Sequence, residues 1–227
     1  MKFHFLTIFP EMINAYTGEA MLKRAKEKKL ADFVAVNIRD YSKDKHGKTD
    51  DRPYGGGPGM VMTAEPILRA VKSLKLKVSA RGGSALGRKV KVIQLSPSGK
   101  MFTNTIAKKM AKSYTDLVFI CGRYEGVDDR VRKILKADEY SIGDYVLTGG
   151  ELPALVMTDA IVRQIKGVLG DQESLEEARV ASPRVYTRPE VLVFPATGGK
   201  KHKVPKVLTE GNHKKIEEWR QKQQNNQ

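Results

Sequence analysis

Short continuous runs of apolar residues alternate along the chain with longer stretches in which apolar positions recur every three or four residues. The runs at Phe3–Phe9, Phe33–Ile38, Val90–Leu95 and Leu117–Cys121, with a shorter one at Glu139–Ile142, predict strands. The stretches between predict helices over Pro10–Lys28, Ala64–Leu74, Thr103–Ser113, Asp129–Lys136 and Glu151–Ile165; the first has proline in its first turn and the last follows Gly149-Gly150. Such alternation predicts an α/β fold with a largely parallel sheet. The pattern breaks after Gly170. Asp171–Arg184 is polar, mixed in charge and without period, which reads as a linker. A second unit follows, with a helix starting near Thr209 on which Ile216 and Trp219, three apart, share one face. The reading is a first domain over 1–170, a flexible linker over 171–185 and a small C-terminal helical domain over 186–227.

Charge adds a partner to this picture. Lys and Arg number 41 against 26 Asp and Glu, a net charge of +15, and such an excess suits a polyanion. Nucleic acid is favoured over a membrane surface, because no strongly apolar amphipathic anchor stands out and the opening run ends at Pro10-Glu11, well short of a membrane helix. The single cysteine, Cys121, excludes an intramolecular disulfide and a thiolate-rich metal site and fits a reducing cytoplasm. At the end of a strand and with no base nearby, it reads as core rather than nucleophile. His4, His46, His202 and His213 are too dispersed to suggest a metal cluster.

The candidate chemistry sits in four segments rich in glycine and proline: Asp51–Gly59, Ser96–Gly99, Gly122–Gly126 and Ser141–Gly150. Ligand sites of parallel sheets lie where strands end, and glycine lets backbone N–H and C=O groups approach a flat ligand such as adenine. Any one segment alone is equally well a tight connection. None matches a phosphate-cradling G-x-x-x-x-G-K-[ST] or a dinucleotide G-x-G-x-x-G, so ATP hydrolysis and a nicotinamide site are poorly supported, whereas a phosphate-free methyl donor is compatible. For RNA contact the candidates are the basic run Lys77, Arg81, Arg88, Lys89 and Lys91, Arg188 beside Tyr186, and residues 199–227, where eight Lys and Arg including Lys214 and Lys215 face three Glu.

Read together, Phe9-Pro10-Glu11-Met12, Asp51–Met62, Leu95-Ser96-Pro97, Cys121–Gly126, Ser141–Pro153, Gly167–Gly170, Tyr186-Thr187-Arg188-Pro189 and Gly211-Asn212-His213 with Trp219-Arg220 resemble the bacterial tRNA (guanine-N1)-methyltransferases of the knotted SPOUT class, nearly end to end. The resemblance implies a SPOUT-type parallel sheet with a deep trefoil knot over about Val90–Gly170. It also implies a homodimer whose sites use both subunits, and transfer of the S-adenosyl-L-methionine methyl group to N1 of guanosine 37 of tRNA, 3′ of the anticodon. The positions implied for the cofactor are Leu95, Ser96, Pro97, Gly99, Gly122, Tyr124, Glu125, Ile142, Gly143, Tyr145, Leu147, Gly149 and Gly150. Arg163 matches the family's catalytic arginine. The family's acidic residue, eight positions after the Gly-Val-Leu-Gly turn, falls here on Ala178, and Glu177 one residue earlier is the candidate base, with Glu176 or Asp171 behind it. The family's chemistry is also linked to Mg²⁺, for which this sequence offers no ligand set. Ala178 keeps open an RNA-binding homologue without turnover; methylation of ribosomal RNA is a third reading.

Overall fold

The computed structural model describes residues 1–76, 88–169, 184–195 and 198–224. The chain divides into two compact units, Met1–Val168 and Leu169–Gln227. In the first, five strands form one parallel sheet: β1 (Lys2–Thr7), β2 (Asp32–Asn37), β5 (Val90–Met101), β6 (Asp116–Ile120) and β7 (Asp138–Ser141), in the order β2-β1-β6-β5-β7. A two-residue antiparallel pair, β3 (Asp50–Asp51) with β4 (Val61–Met62), brackets the glycine-rich segment between them. Helices α1 (Pro10–Thr17), α2 (Ala20–Glu27), α3 (Ala64–Ser73), α4 (Asn104–Ser113), α5 (Asp129–Leu135) and α6 (Glu151–Val162) complete the unit.

Alternation along the strands builds two cores. Phe3, Phe5, Leu117, Phe119 and Ile93 point to one face, where Ile13 of α1, Leu22 of α2, Met110 of α4 and Met157 and Ile161 of α6 cover them. Leu6, Val36, Val92, Val118 and Ile120 point to the other, against Ile67 and Val71 of α3 and Val131 and Leu135 of α5. Because both faces are covered, the strands are apolar at successive positions, which is why they read as continuous runs in the sequence.

The elements differ from expectation at identifiable places. The single helix expected over Pro10–Lys28 is two, α1 closing at Gly18 and α2 starting from an extended Glu19. Asp116 rather than Leu117 begins β6, and β5 runs past Leu95 to Met101, with Leu95 and Lys100 both opposite Tyr140, so Ser96–Gly99 leaves the ladder and rejoins it rather than ending the strand. Helix α6 stops at Val162 and leaves Arg163 as its C-cap, short of Ile165.

The second unit is not purely helical. It holds an antiparallel hairpin, β8 (Val191–Val193) with β9 (Lys201–Lys203), a 3₁₀ turn at Lys206–Leu208, and α7 (His213–Gln224). Helix α7 starts later than Thr209 because the Asn212 side chain accepts a hydrogen bond from the Lys215 N–H, the N-cap arrangement. Ile216 and Trp219 are half-buried, as is Gln223 four residues on, and the Trp219 ring lies 6.4 Å from that of Tyr186. Lys77 and Arg81, and nearly all of the expected linker including Asp171, Glu176, Glu177 and Ala178, lie outside the described residues.

Candidate functional site

Strand β5 has β6 on one side and β7 on the other, so the chain reverses direction across β5. In a parallel sheet the loops leaving the strands at such a reversal splay apart and open a crevice. The crevice here has a volume of about 480 Å³ and is built from Leu95–Pro97, where β5 bulges out of its ladder, Gly122–Val127 after β6 and the Ser141–Gly150 segment after β7. All the residues assigned to the cofactor except Gly99 and Gly143 line it. Gly99 lies behind the wall, where a Cβ would come within 2.6 Å of the Tyr140 backbone nitrogen, and Gly143 packs beneath the Tyr145 ring.

Gly150 closes the floor. Its N–H donates to the Gly122 carbonyl at 2.8 Å, and a Cβ there would stand 2.7 Å from Cys121 Cα, so this crossing of two backbones requires glycine. Gln94, at the base of the crevice, keeps its side-chain oxygen buried with no hydrogen-bond partner among the described residues. A buried acceptor without a partner is uncommon and suits a ligand donor. The rim is apolar and exposed at Tyr124, Tyr145, Val146 and Leu147, and Tyr124 holds φ +58, a left-handed conformation rare outside glycine. Glycine backbone below and apolar rings above make a slot for a flat heteroaromatic group.

A buried network braces the slot. The Glu151 carboxylate, fully buried at the first turn of α6, accepts from the Thr7 hydroxyl at 2.6 Å and from Arg123 Nε at 2.8 Å. Arg123 also donates to the Thr148 carbonyl at 3.3 Å and lies 4.6 Å from the centre of the Phe9 ring. One side chain thus ties the β6 loop, the Ser141–Gly150 segment and the start of α1. The Asp51–Met62 segment is fastened to the same loop through Glu125 N–H to the Met60 carbonyl at 3.0 Å and Met62 N–H to the Gly126 carbonyl at 2.9 Å. Sequence reasoning assigned no role to Arg123, Glu151 or Gln94. An arginine inside a glycine loop and a glutamate directly after Gly149-Gly150 were the available signals, but pairing across 28 positions is invisible without the fold. Burial pushes the Cys121 thiol well above its usual range, with the Glu151 charge adding to this and Arg123 opposing it, so Cys121 is a protonated core residue.

The structure does not bring Arg163 to this crevice. Gly150 starts α6 and Arg163 caps its far end, about 19 Å away at 1.5 Å per residue. Arg163 is half-buried and has no carboxylate partner among the described residues. It shares a helical face with Leu152, Val156 and Asp159, spaced at i, i+4, i+7 and i+11. Leu152 and Val156 are exposed, as are Phe9, Met12 and Tyr16 of the α1 region, and the Tyr16 hydroxyl donates to Asp159 at 2.8 Å, joining α1 to α6. In the second unit Arg188, Lys214 and Lys215 are all exposed.

Comparison with known proteins gives a family for the chain. The family profile described as tRNA (Guanine-1)-methyltransferase TrmD matches residues 1–227. A tRNA (guanine-N(1)-)-methyltransferase of Caldicellulosiruptor saccharolyticus is 48% identical over 227 residues, covering 98% of this chain and 85% of the relative. The proteins of the same description from Clostridioides difficile and Bacillus subtilis are 45% and 44% identical, each covering 98% of this chain, with 92% and 87% of the relatives' lengths.

Proposed function

Because the chain belongs to the tRNA (guanine-1)-methyltransferase family, we propose that the crevice at the β5 bulge and the ends of β6 and β7 holds S-adenosylmethionine for methylation of guanosine 37, the base 3′ of the anticodon. The activity is methyl transfer to N1 of a guanine in tRNA. The observation that carries the cofactor reading is the convergence of the β5 bulge and the loops after β6 and β7 on one glycine-floored slot that contains the unpartnered Gln94 oxygen and no phosphate-binding loop. Gly122, Gly149 and Gly150 admit the adenine edge to backbone groups, with Ile142–Leu147 beside it. Glu125 serves the ribose or the amino-acid portion, and Leu95 and Pro97 close the apolar side.

S-adenosylmethionine supplies an electrophilic methyl group on a sulfonium. Guanine N1 carries a proton at neutral pH, so its lone pair becomes available only as a base takes that proton. The N1–C bond forms as the S–C bond breaks, the sulfur leaves as a neutral thioether, and negative charge shifts toward O6. Arg163 meets that charge and Glu177 takes the proton. Glu177→Gln in single-turnover methyl transfer is expected to lower the rate by roughly 10²- to 10⁴-fold; an unchanged rate would remove Glu177 as the base.

Arg163 reaches a slot only from a second subunit. A homodimer through the apolar face of Phe9, Met12, Leu152 and Val156 buries that face and carries each Arg163 toward the partner's crevice. The knot runs from about Val90 to Gly170; the backbone crossing of Gly150 over Cys121-Gly122, between segments after β6 and β7, supports such threading. Arg188, Lys214 and Lys215 hold the tRNA, and the protein works in the cytoplasm where tRNA is processed. Among the described residues no three His, Cys, Asp or Glu side chains come together as a metal site, so no step is assigned to Mg²⁺. No described helix is long and apolar enough to cross a membrane.

Labelled S-adenosylmethionine with paired tRNA transcripts carrying G or A at position 37 tests the whole reading. Incorporation that depends on that G is the expected result. Tight tRNA binding without incorporation supports the second reading, an RNA-binding homologue without turnover, which Ala178 favours. Label on ribosomal RNA and none on tRNA supports the third.

A further inference from the structure

The opposite edge of the sheet, where strands begin, carries a broader groove of about 720 Å³. Its walls are the C-terminal turn of α2, the first residues of β1, β2 and β6, and Tyr114 after α4. The two carboxylates in it are already matched: Lys2 pairs with Asp32 at 3.1 Å, and Arg88 with Asp116 at 3.0 Å. Lys26 and Lys29 also line the groove, are exposed, and have no carboxylate partner among the described residues. Lys29 holds φ +57, the left-handed conformation that ends α2 and turns its side chain out of the helix, as Lys75 and Lys136 do after α3 and α5. Ile165, two residues past Arg163, lines the same groove, which places groove and Arg163 at one end of α6.

We propose that this groove is a second tRNA-contact site, in which Lys26 and Lys29 each engage a backbone phosphate close to the target guanine. The inference rests on the reading that Arg163 meets that guanine, since the groove then flanks the RNA entering the partner's crevice. Two cations without a carboxylate partner among the described residues, beside the Tyr114 ring, suit a phosphodiester backbone that carries bases.

Filter binding of a tRNA transcript to the full-length protein between 50 and 300 mM salt tests it. Each phosphate contact contributes roughly 0.7 to 0.9 to the slope of log K against log salt. The double variant K26A/K29A is therefore expected to flatten the slope by about 1.5 and to weaken binding about thirty-fold at 0.1 M salt. K26R/K29R, which keeps both charges, is expected to bind as the parent does, and S-adenosylmethionine affinity by calorimetry is expected to be unchanged in both. An unaltered slope and affinity in K26A/K29A, or an equal loss in K26R/K29R, overturns the groove assignment. Methyl transfer by the parent is scored separately: a transcript that is bound with the altered slope but never methylated leaves the groove standing and removes the catalytic reading.

Discussion

Truncation of Glu151 probes how far the proposed donor slot depends on its buried brace. Glu151→Ala removes the acceptor of both the Thr7 hydroxyl, at 2.6 Å, and Arg123 Nε, at 2.8 Å, and the Arg123 side chain is only 16% exposed. Breaking a buried pair by removing one partner costs about 3–5 kcal/mol, because the other charge is left without compensation. Arg123 keeps the Thr148 carbonyl and the Phe9 ring, and Thr7 keeps the Phe9 N–H at 2.9 Å, so the lower end, about 3 kcal/mol, applies. For a unit of this size that is a fall of roughly 6–12 °C in Tm, readable by calorimetry. Glu151→Gln keeps the shape but offers an N–H₂ to a donor, and is expected to cost about 1–2 kcal/mol. Calorimetric titration with S-adenosylmethionine should show at least a ten-fold weaker Kd, since Arg123 no longer anchors the β6 loop to the first turn of α6. The double variant Arg123→Met/Glu151→Leu leaves no unpaired charge and should recover much of the stability but none of the affinity. A Glu151→Ala protein that melts within 2 °C of the parent and binds the donor equally well would refute the brace.

Gly150→Ala places a Cβ 2.7 Å from Cys121 Cα, and since backbone cannot yield as a side chain does, a loss of about 1–3 kcal/mol in urea unfolding is expected together with loss of donor binding. Val156→Asp puts a charge on the exposed apolar face of α6; light scattering should report a monomer, with donor binding retained and methyl transfer lost. His4 and Asp116 lie 3.1 Å apart in the core, but burial holds the imidazole below its usual range more strongly than Asp116 raises it, so His4 is neutral and donates from Nε2. Its unfolded form therefore binds a proton first as pH falls below about 6.5, stability rises with pH in that window, and His4→Gln should flatten the slope of unfolding free energy between pH 6.5 and 5. Burial alone would raise the Asp116 pKa, but hydrogen bonds from His4 and Thr115 and the Arg88 charge hold it low, so its contribution is present above about pH 4 and disappears at lower pH.

Much of the first unit was legible from local pattern. Strand β6 is buried at every position and its Leu117–Ile120 reads as an unbroken apolar run, β1 is buried and β2 apolar at most positions, and Ile216 with Trp219 marks the packed face of α7 by spacing alone. The break between α1 and α2 was not legible, because apolar periodicity continues across Gly18 and only the extended Glu19 ends it. The hairpin β8–β9 was hidden as well: with all six strand residues exposed and three of them Lys or His, it lacks the alternation that marks a half-buried strand.

The amino-acid sequence by itself determined the α/β class, the basic character and the glycine segments that resemble a methyl-transfer family, because these depend on residue type and on spacing within about a dozen positions. Only the tertiary structure decided that three of those segments share one slot, that Arg123 closes it onto Glu151, and that Arg163 stands at the wrong end of α6 to serve the slot of its own chain. Contacts between residues 28 or 144 positions apart arise from strand order, and strand order is set by how both faces of the sheet are covered at once, which no local window contains.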